Sequence, residues 1–321
     1  MESLRPFSEF LLPAYTNLPV GKYVNLFIVR ETESEVIFRT EGSGEPINRE
    51  FVHAGMDDGG EVIDRAVISK RKQTAVERRT GRALLHAFGL LARHDDGSVC
   101  MLNTNAPCER CIDCWVYGYA AGGGGAQKSR VMTEDAFSLL SASAITDTKT
   151  FNATFDTGTM RHPETGKPST SINASEYIRP EAHFLDIEVL KDVTPLEMAY
   201  VVGNILRSSR YGAISSRIGK IRNEIVAIVF STAEVMSTLE WTRQTYDLLG
   251  AREHPLSRSE VRDRSLAAID RLSADVPGAK RRMSEGELAA FLDEVRVLYE
   301  APEAFLRELD ASYPKPAGKK R

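Results

Sequence analysis

Three stretches predict an α+β fold. Residues 22–30 (KYVNLFIVR) form a run of β-branched and aromatic residues at strand length. Residues 194–207 open on Thr194, Pro195 and Glu197, an N-cap, a first-turn proline and a capping-box acid, followed by a helical stripe of Met198, Val201, Val202, Ile205 and Leu206. Residues 224–230 (EIVAIVF) are the short, continuous apolar run expected of a buried strand. The chain has 321 residues, 42% hydrophobic and 27% charged, which is ordinary globular composition and length for one large or two modest domains.

In chain order, residues 1–19 hold Pro6, Pro13 and Pro19 and read as an irregular lead-in. After the first strand, residues 35–39 (EVIFR) read as a second, with a turn at 31–34 suited to a hairpin. The Gly- and Asp-rich stretch 42–60 reads as an exposed loop. Residues 74–91 have Val76, Ala83, Leu84, Ala87, Phe88 and Leu91 on one helical face. Residues 136–144 (AFSLLSASA) read as a strand. Residues 145–180 are polar and punctuated, as in a protruding hairpin. In 184–190, Leu185, Ile187 and Val189 alternate with Asp186 and Glu188. If the opening hairpin counts as one unit, the order is strand, helix, strand, strand, helix, strand, a modified ferredoxin-like or RRM-like core. Beyond about residue 231 the chain turns helical. Ser257 with Glu260 and Ser284 with Glu287 match capping boxes, and the tail KPAGKKR reads as short, basic and disordered. The core is assigned to 1–99 and 131–249, a cysteine-rich insertion to 100–130, a helical region to 250–313 and the tail to 314–321.

The net charge of −4 argues against a uniformly basic nucleic-acid coat, but local charge carries phosphate binding. Two clusters stand out. One spans 198–223, with Arg207, Arg210, Arg217, Lys220 and Arg222 and no acid. Its serines and glycines suit an anion site, and Tyr211 offers a stacking face. The other holds Arg65, Lys70, Arg71, Lys72, Arg78, Arg79 and Arg82. A solvated helix face is the bland alternative for each. No apolar stretch approaches the roughly 20 residues of a membrane span. The N-terminus lacks the layout of a secretory signal, so a cytoplasmic protein is expected.

All four cysteines, Cys100, Cys108, Cys111 and Cys114, fall in one short segment. In a reducing compartment such crowding favours a metal over disulfides. Four thiolates suit structural zinc, with an iron–sulfur cluster or reduced thiols as alternatives and His86 and His94 as substitute ligands. A closed four-thiolate site folds a loop rather than catalyses. Residues 122–129 (GGGGAQKS) resemble a phosphate loop, but Gln127 stands where that motif needs glycine. A loop bringing Lys128 and Arg130 to a ligand fits better. Phe151, Phe155, Met160 and Tyr177 in the hairpin either pack its base or, beside Lys149, Arg161, Lys167 and Arg179, form a wedge that unstacks bases. No catalytic constellation emerges. Asp57 with Asp58, or Asp147 with Asp156, are the candidates for a metal-dependent phosphodiester cleavage.

Several stretches resemble the major backbone subunit of type I-D CRISPR effector complexes (Cascade), in the Cas-seven branch of the RAMP superfamily. They are TGRALLHAFG, the C-x7-C-x2-C-x2-C cluster with YGYA after it, KSRV, DAFSLLSASA, FNATFDTGTM and GNILRSSRYGAISSRIGKIRNEIVAIVFS, within roughly residues 15–245. The Gly122–Gly125 run departs from that pattern, and the helices after about residue 250 lie outside the shared core. The resemblance implies a ferredoxin-like palm, a zinc-binding insertion and a thumb hairpin, here about 145–180 with Phe151, Phe155, Met160 and Arg161. It implies copies that polymerise along a CRISPR guide RNA beside other effector subunits and present the spacer for target DNA pairing. The guide surface would comprise Lys70, Arg71, Lys72, Arg79, Lys128, Arg130, Arg207, Arg210, Tyr211, Arg217, Lys220 and Arg222. Some relatives in the superfamily cut target strands from a loop acid, so a nuclease subunit is the alternative to a non-catalytic one.

Overall fold

The computed structural model describes residues 1–38, 47–92, 97–102, 107–121, 125–152, 154–170, 172–212 and 218–314. The strands are β1 (Tyr23–Thr32), β2 (Arg49–His53), β3 (Val62–Ile68), β4 (Tyr119–Ala121), β5 (Gly125–Gln127), β6 (Val131–Thr133), β7 (Ala136–Ser141), β8 (Thr146–Asn152), β9 (Ile172–Ile178), β10 (His183–Lys191), β11 (Arg210–Tyr211), β12 (Gly219–Ser231) and β13 (Lys280–Arg282). The helices are α1 (Lys70–Ala87), α2 (Ile112–Tyr117), α3 (Ala142–Ile145), α4 (Pro195–Arg207), α5 (Thr238–Leu248), α6 (Arg258–Ala274), α7 (Glu285–Glu300) and α8 (Glu303–Ser312), preceded by a 3-10 turn at Arg5–Phe10.

A nine-stranded sheet organises the chain, in the order β11-β12-β1-β10-β7-β3-β2, with β13 added to β12 and β6 to β10. Every pairing in it is antiparallel. The sheet is covered on both faces, and the alternation of β1 shows why. Val24, Leu26 and Ile28 face one core, with α1, α4, α7 and α8, while Phe27 and Val29 face a second, with α5 and α6. A strand buried on both sides reads as a near-continuous apolar run, as β1 and β12 do.

The first helix starts earlier than its apolar stripe suggests, at Lys70, and the capping box at Thr194 and Glu197 is formed as expected. A box at Ser284 and Glu287 also forms, but the one expected at Ser257 does not: Ser257 Oγ bonds Ser259 Oγ at 2.8 Å, and Glu260 accepts from the Gly250 N–H. Ser237 and Glu240 form a further box at the start of α5. Of the second strand expected at 35–39, residues 35–38 do not extend a hairpin from β1, since β10 and β12 occupy both edges of that strand, and residue 39 lies outside the described residues. Val36 instead makes a lone bridge to Ile178. The hairpin is β2–β3, which begins inside the stretch read as an exposed loop. The strand expected over 136–144 stops at Ser141 and turns into α3. The lead-in is irregular apart from the 3-10 turn at Arg5–Phe10, but it is packed: Phe7 and Phe10 are buried, and Phe7 stacks on Phe230 at 4.5 Å.

The stretch 145–180 does form a separate ribbon, β8 paired to β9. The cysteine segment is no appendage. Cys100, Cys111, Cys114, Ile112 and Val116 are all buried in the same core as α4. No helix is long and apolar enough to cross a membrane among the described residues. The basic tail from residue 315 lies outside the described residues.

Candidate nucleic-acid interface

The basic stretch 198–223 forms the end of α4, the short strand β11 and the start of β12. Its stem is welded from below. Asn223 Nδ2 donates to the Ile205 and Ser208 carbonyls at 3.0 and 2.7 Å. The Ile205 carbonyl also accepts from the Ser208 N–H at 3.1 Å, so Asn223 adds donors at the C-terminus of α4, where a partial negative charge would repel an anion. Asn223 Nδ2 also donates to Tyr211 Oη at 3.0 Å, and Tyr211 Oη donates to Glu77 of α1 at 2.9 Å. Tyr211 is therefore not a stacking face. Its ring is 1% exposed and its hydroxyl is spent on the interior. The glycines also have a packing reason. A Cβ on Gly219 would fall 2.2 Å from Val36 Cβ, and Gly212, at φ +97°, faces the Ile37 carbonyl.

Beneath the stem lies a buried charge cluster. Arg30, on β1, contacts Asp186 at 2.7 Å, Glu77 at 2.8 Å and Glu188 at 3.0 Å, all with fully buried side chains. Gln73 Nε2 donates to Asp186 at 2.7 Å and to Glu188 at 3.1 Å. Asp186 and Glu188 alternate with the apolar residues of β10 as the pattern required, but α1 covers their face. One guanidinium among three carboxylates leaves excess negative charge out of water. Burial pushes the Asp186 carboxyl up to about 6, and burial with the neighbouring Glu77 holds Glu188 well above the usual carboxylate range.

The exposed cations gather around this framework. Arg207 is exposed, with its guanidinium 5.6 Å from the centre of the Tyr299 ring. Arg210 is exposed and donates to the Ile218 carbonyl at 3.2 Å. Lys220 lies 3.5 Å from Glu33, and Arg222 sits between Glu31 at 3.6 Å and Glu224 at 2.7 Å. Arg217 lies outside the described residues. On the adjoining α1, Arg71 and Arg79 are exposed and Lys70 and Lys72 half-buried. The helix is tied to the stem by the Tyr211–Glu77 bond and by Ser208 Oγ donating to Thr80 Oγ1 at 3.0 Å.

The rest of that basic cluster is structural. Arg65 is fully buried and donates to the carbonyls of Ser138, Leu139 and Ala54. Arg78 and Arg82 grip Asp113 of α2 at 2.8 and 2.6 Å.

Lys128 and Arg130 are not part of this edge. Their segment meets the sheet at Lys191, which pairs with Tyr23, whereas Arg222 pairs with Glu31. Eight residues of β1 separate the two points, roughly 26 Å at the usual strand rise. Lys128 is exposed, but Arg130 is buried. Its guanidinium donates to the Thr16 carbonyl at 2.5 Å and to that of Asp192, and lies over the Tyr15 ring. Arg130 is thus a structural clamp rather than a phosphate ligand. On the ribbon, Phe155 packs on His162 at 5.1 Å, Met160 is half-buried, and Arg161 is exposed with a bond to the Gly166 carbonyl. Nothing is described of the Phe151 side chain.

The four cysteine sulfurs lie within 4.8 Å of one another. Cys114 Sγ is 3.8 Å from both Cys100 Sγ and Cys108 Sγ. A tetrahedron with zinc–sulfur bonds of about 2.3 Å has edges of about 3.8 Å, so the donor set fits the ion in both chemistry and size. The spacing is far beyond a disulfide bond, and all four are free thiols. Arg82 Nη1, 3.9 Å from Cys100 Sγ, offsets thiolate charge. His86 is exposed on α1 and outside the group, and His94 lies outside the described residues. Among the described residues this is the one group of three or more such side chains close enough to hold an ion. Asp147 pairs with Arg179 at 3.2 Å and Asp58 with Arg243 at 2.6 Å.

These features define an antiparallel α+β protein with a cation-lined edge and a four-thiol centre. The chain belongs to the Csc2 family of CRISPR proteins: the family model described as Csc2 Crispr matches residues 10–309. It is similar over 99% of its length to the crystal structure of Thermofilum pendens Csc2, with 97% of that chain covered, a TM-score of 0.59 and 16% identity. It also matches chains of a CRISPR RNA-guided surveillance complex (TM-score 0.50, 13% identity) and of such a complex described as pre-nicking (TM-score 0.54, 10% identity). Each covers 86% of this chain and 99% of its own. These likenesses show a shared fold. No curated protein matches the chain.

Proposed function

We propose that the chain is the guide-RNA-binding backbone subunit of a type I-D CRISPR surveillance complex. Membership of the Csc2 family and the fold shared with chains of RNA-guided complexes support this reading. One observation carries it beyond the family. Lys70, Arg71 and Lys72 occupy the first turn of α1, where Asp135, between β6 and β7, caps the helix by accepting from the Lys70 N–H at 2.8 Å. Cations there oppose the helix dipole, at about 0.3–1 kcal/mol each. A phosphate beside that turn is drawn by the three cations and offsets their unfavourable position. The same helix is hydrogen-bonded to the stem that presents Arg207, Arg210, Lys220 and Arg222.

Such a surface contacts phosphate and ribose and leaves base edges free for pairing with target DNA. In this reading β1, β7, β10 and β12 with α1 and α4 are the ferredoxin-like palm. The β8–β9 ribbon is the thumb, carrying Phe155, Met160 and Arg161. The four cysteines hold a structural zinc ion whose closed coordination supplies folding energy rather than catalysis. Copies line up along the guide beside other effector subunits. The protein is non-catalytic and acts in the cytoplasm.

The test is RNA binding by full-length Arg210→Ala/Lys220→Ala, followed by fluorescence anisotropy on unrelated single strands. Removing two phosphate contacts weakens binding about tenfold, equally across sequences, and reduces the salt dependence by about two charges. Unchanged affinity, or a loss confined to one sequence, overturns the reading.

A further inference from the structure

Residues 16–19, 127–130 and 191–192 line a cleft of about 270 Å3. It lies at the far end of β1 from the basic stem, and the site proposed above does not use it. Its walls come from three separate parts of the chain, and Arg130 fixes them together. The Arg130 N–H bonds the Val116 carbonyl at 2.9 Å, and its guanidinium joins Thr16 to Asp192. Asp192 is satisfied, its carboxylate accepting from the N–H groups of Val20 and Lys22 at 3.1 and 2.9 Å.

What remains free is what a ligand would use. Lys128 and Lys191 have no ion-pair partner among the described residues. Lys191 Nζ only lies 5.2 Å from the Tyr23 ring centre. Arg130 is matched by Glu197 at 3.8 Å, which leaves Lys128 and Lys191 facing one internally bonded acid, Asp192, so the cleft favours an anion. Beside the lysines, Gln127 Nε2 donates to Asn17 Oδ1 at 3.2 Å. In that arrangement Gln127 Oε1 remains an acceptor and Asn17 Nδ2 a donor. An adjacent donor and acceptor match the edge of a nucleobase. Leu18, 74% exposed at the rim, gives an apolar surface for the base face.

We propose that this cleft binds one phosphorylated nucleotide, its phosphate between Lys128 and Lys191, its base edge on Gln127 and Asn17 and its base face on Leu18. The site is independent of the guide groove. The choice of a nucleotide over other phosphate esters rests on the amide pair, not on the reading of the basic stem.

The test titrates uridine 5′-monophosphate, uridine and inorganic phosphate calorimetrically into the full chain, freed of nucleic acid by high salt. The nucleotide saturates at one per chain and binds more tightly than either fragment. Lys128→Glu/Lys191→Glu, both on the surface, weakens it by about tenfold or more. Gln127→Ala removes the preference for nucleotide over phosphate. Arg210→Ala/Lys220→Ala leaves the titration unchanged while weakening single-stranded RNA, so failure of one site is told from failure of the other. Competition by a single-stranded trinucleotide assigns the cleft to a strand, and lack of competition to a free nucleotide. Loss of the signal in Arg210→Ala/Lys220→Ala, indifference to the lysine reversals, or equal binding of inorganic phosphate overturns the proposal.

Discussion

Arg30 Nη1 donates to Tyr211 Oη at 3.1 Å, and this bond joins the buried charge cluster to the rim of the basic stem. The same nitrogen donates to Asn223 Oδ1 at 2.7 Å. One interior guanidinium thus holds both residues that fix the two sides of the stem. Preorganisation of this kind lets exposed cations meet a backbone without first paying the entropy of ordering their loop.

Tyr211→Phe distinguishes an anchor from a stacking platform. Phenylalanine keeps the ring but removes one of the two donors to Glu77, leaving Arg30, and takes the shared acceptor from Arg30 and Asn223. The expected cost is about 1–3 kcal/mol in urea unfolding, with weaker RNA binding across all sequences. A variant as stable as the parent would show that the hydroxyl anchors nothing.

Removal of the proposed zinc ion should be felt by the whole chain. From the sequence, a four-thiolate loop would unfold locally and leave the core intact. In the structure, Cys100, Cys111 and Cys114 are part of the α4 core, and Asp113 between them grips Arg78 and Arg82 of α1. Without the ion the sulfurs take up protons, and the bonds that would tie residues 100–114 into that core are lost. A chelator, or Cys114→Ser, should lower the single melting transition seen by circular dichroism rather than add a small early one. An unshifted main transition would restore the local picture.

What was legible in the sequence followed from local rules. The strands β1, β10 and β12, the capped helix α4 and the protruding ribbon all carry their signals within a few residues. The cysteine group was legible because its ligands are close in sequence. What was hidden depends on contacts between distant segments. Arg65, Arg78, Arg82 and Arg130 look like Lys70 or Arg79 in composition, yet their partners are remote carbonyls or Asp113. Tyr211 has a stacking residue's chemistry, but Arg30, nearly two hundred positions earlier, holds it inside. Val36 was read as a strand because its neighbours are apolar, and it failed to be one because β1 had no free edge. Lys191, Asn17 and Gln127 share a cleft that no spacing in the chain announces.

The buried acids set one limb of the pH dependence. Asp186 and Glu188 have folded pKa values raised by burial. A raised carboxyl favours the folded state below its unfolded pKa, and that advantage is lost as pH rises through the folded value. Stability should therefore fall from about pH 4 upward on their account. Glu188→Gln keeps an acceptor for Arg30 and Gln73, offers a donor toward Glu77 and removes one charge. It should be more stable than the parent at pH 8 and close to it at pH 5, in paired thermal melts. Equal gains at both pH values would mean that Glu188 is not the titrating group.

His183 sets the opposite limb. It is buried, and neither ring nitrogen has a partner among the described residues. Burial, then Arg258 and His254, lower its pKa from 6.5 to about 4, with Arg222 adding and Glu181 opposing. A lowered base supports the fold above its unfolded pKa, and that support is lost as pH falls through the folded value. The window is therefore pH 6.5 down to about 4, and a shift of this size corresponds to about 3 kcal/mol. His183→Phe keeps a ring of similar shape and cannot take a proton. Its urea midpoint should match the parent near pH 8 and exceed it at pH 4.5. If acid destabilises both proteins equally across that window, the proton is being taken up elsewhere.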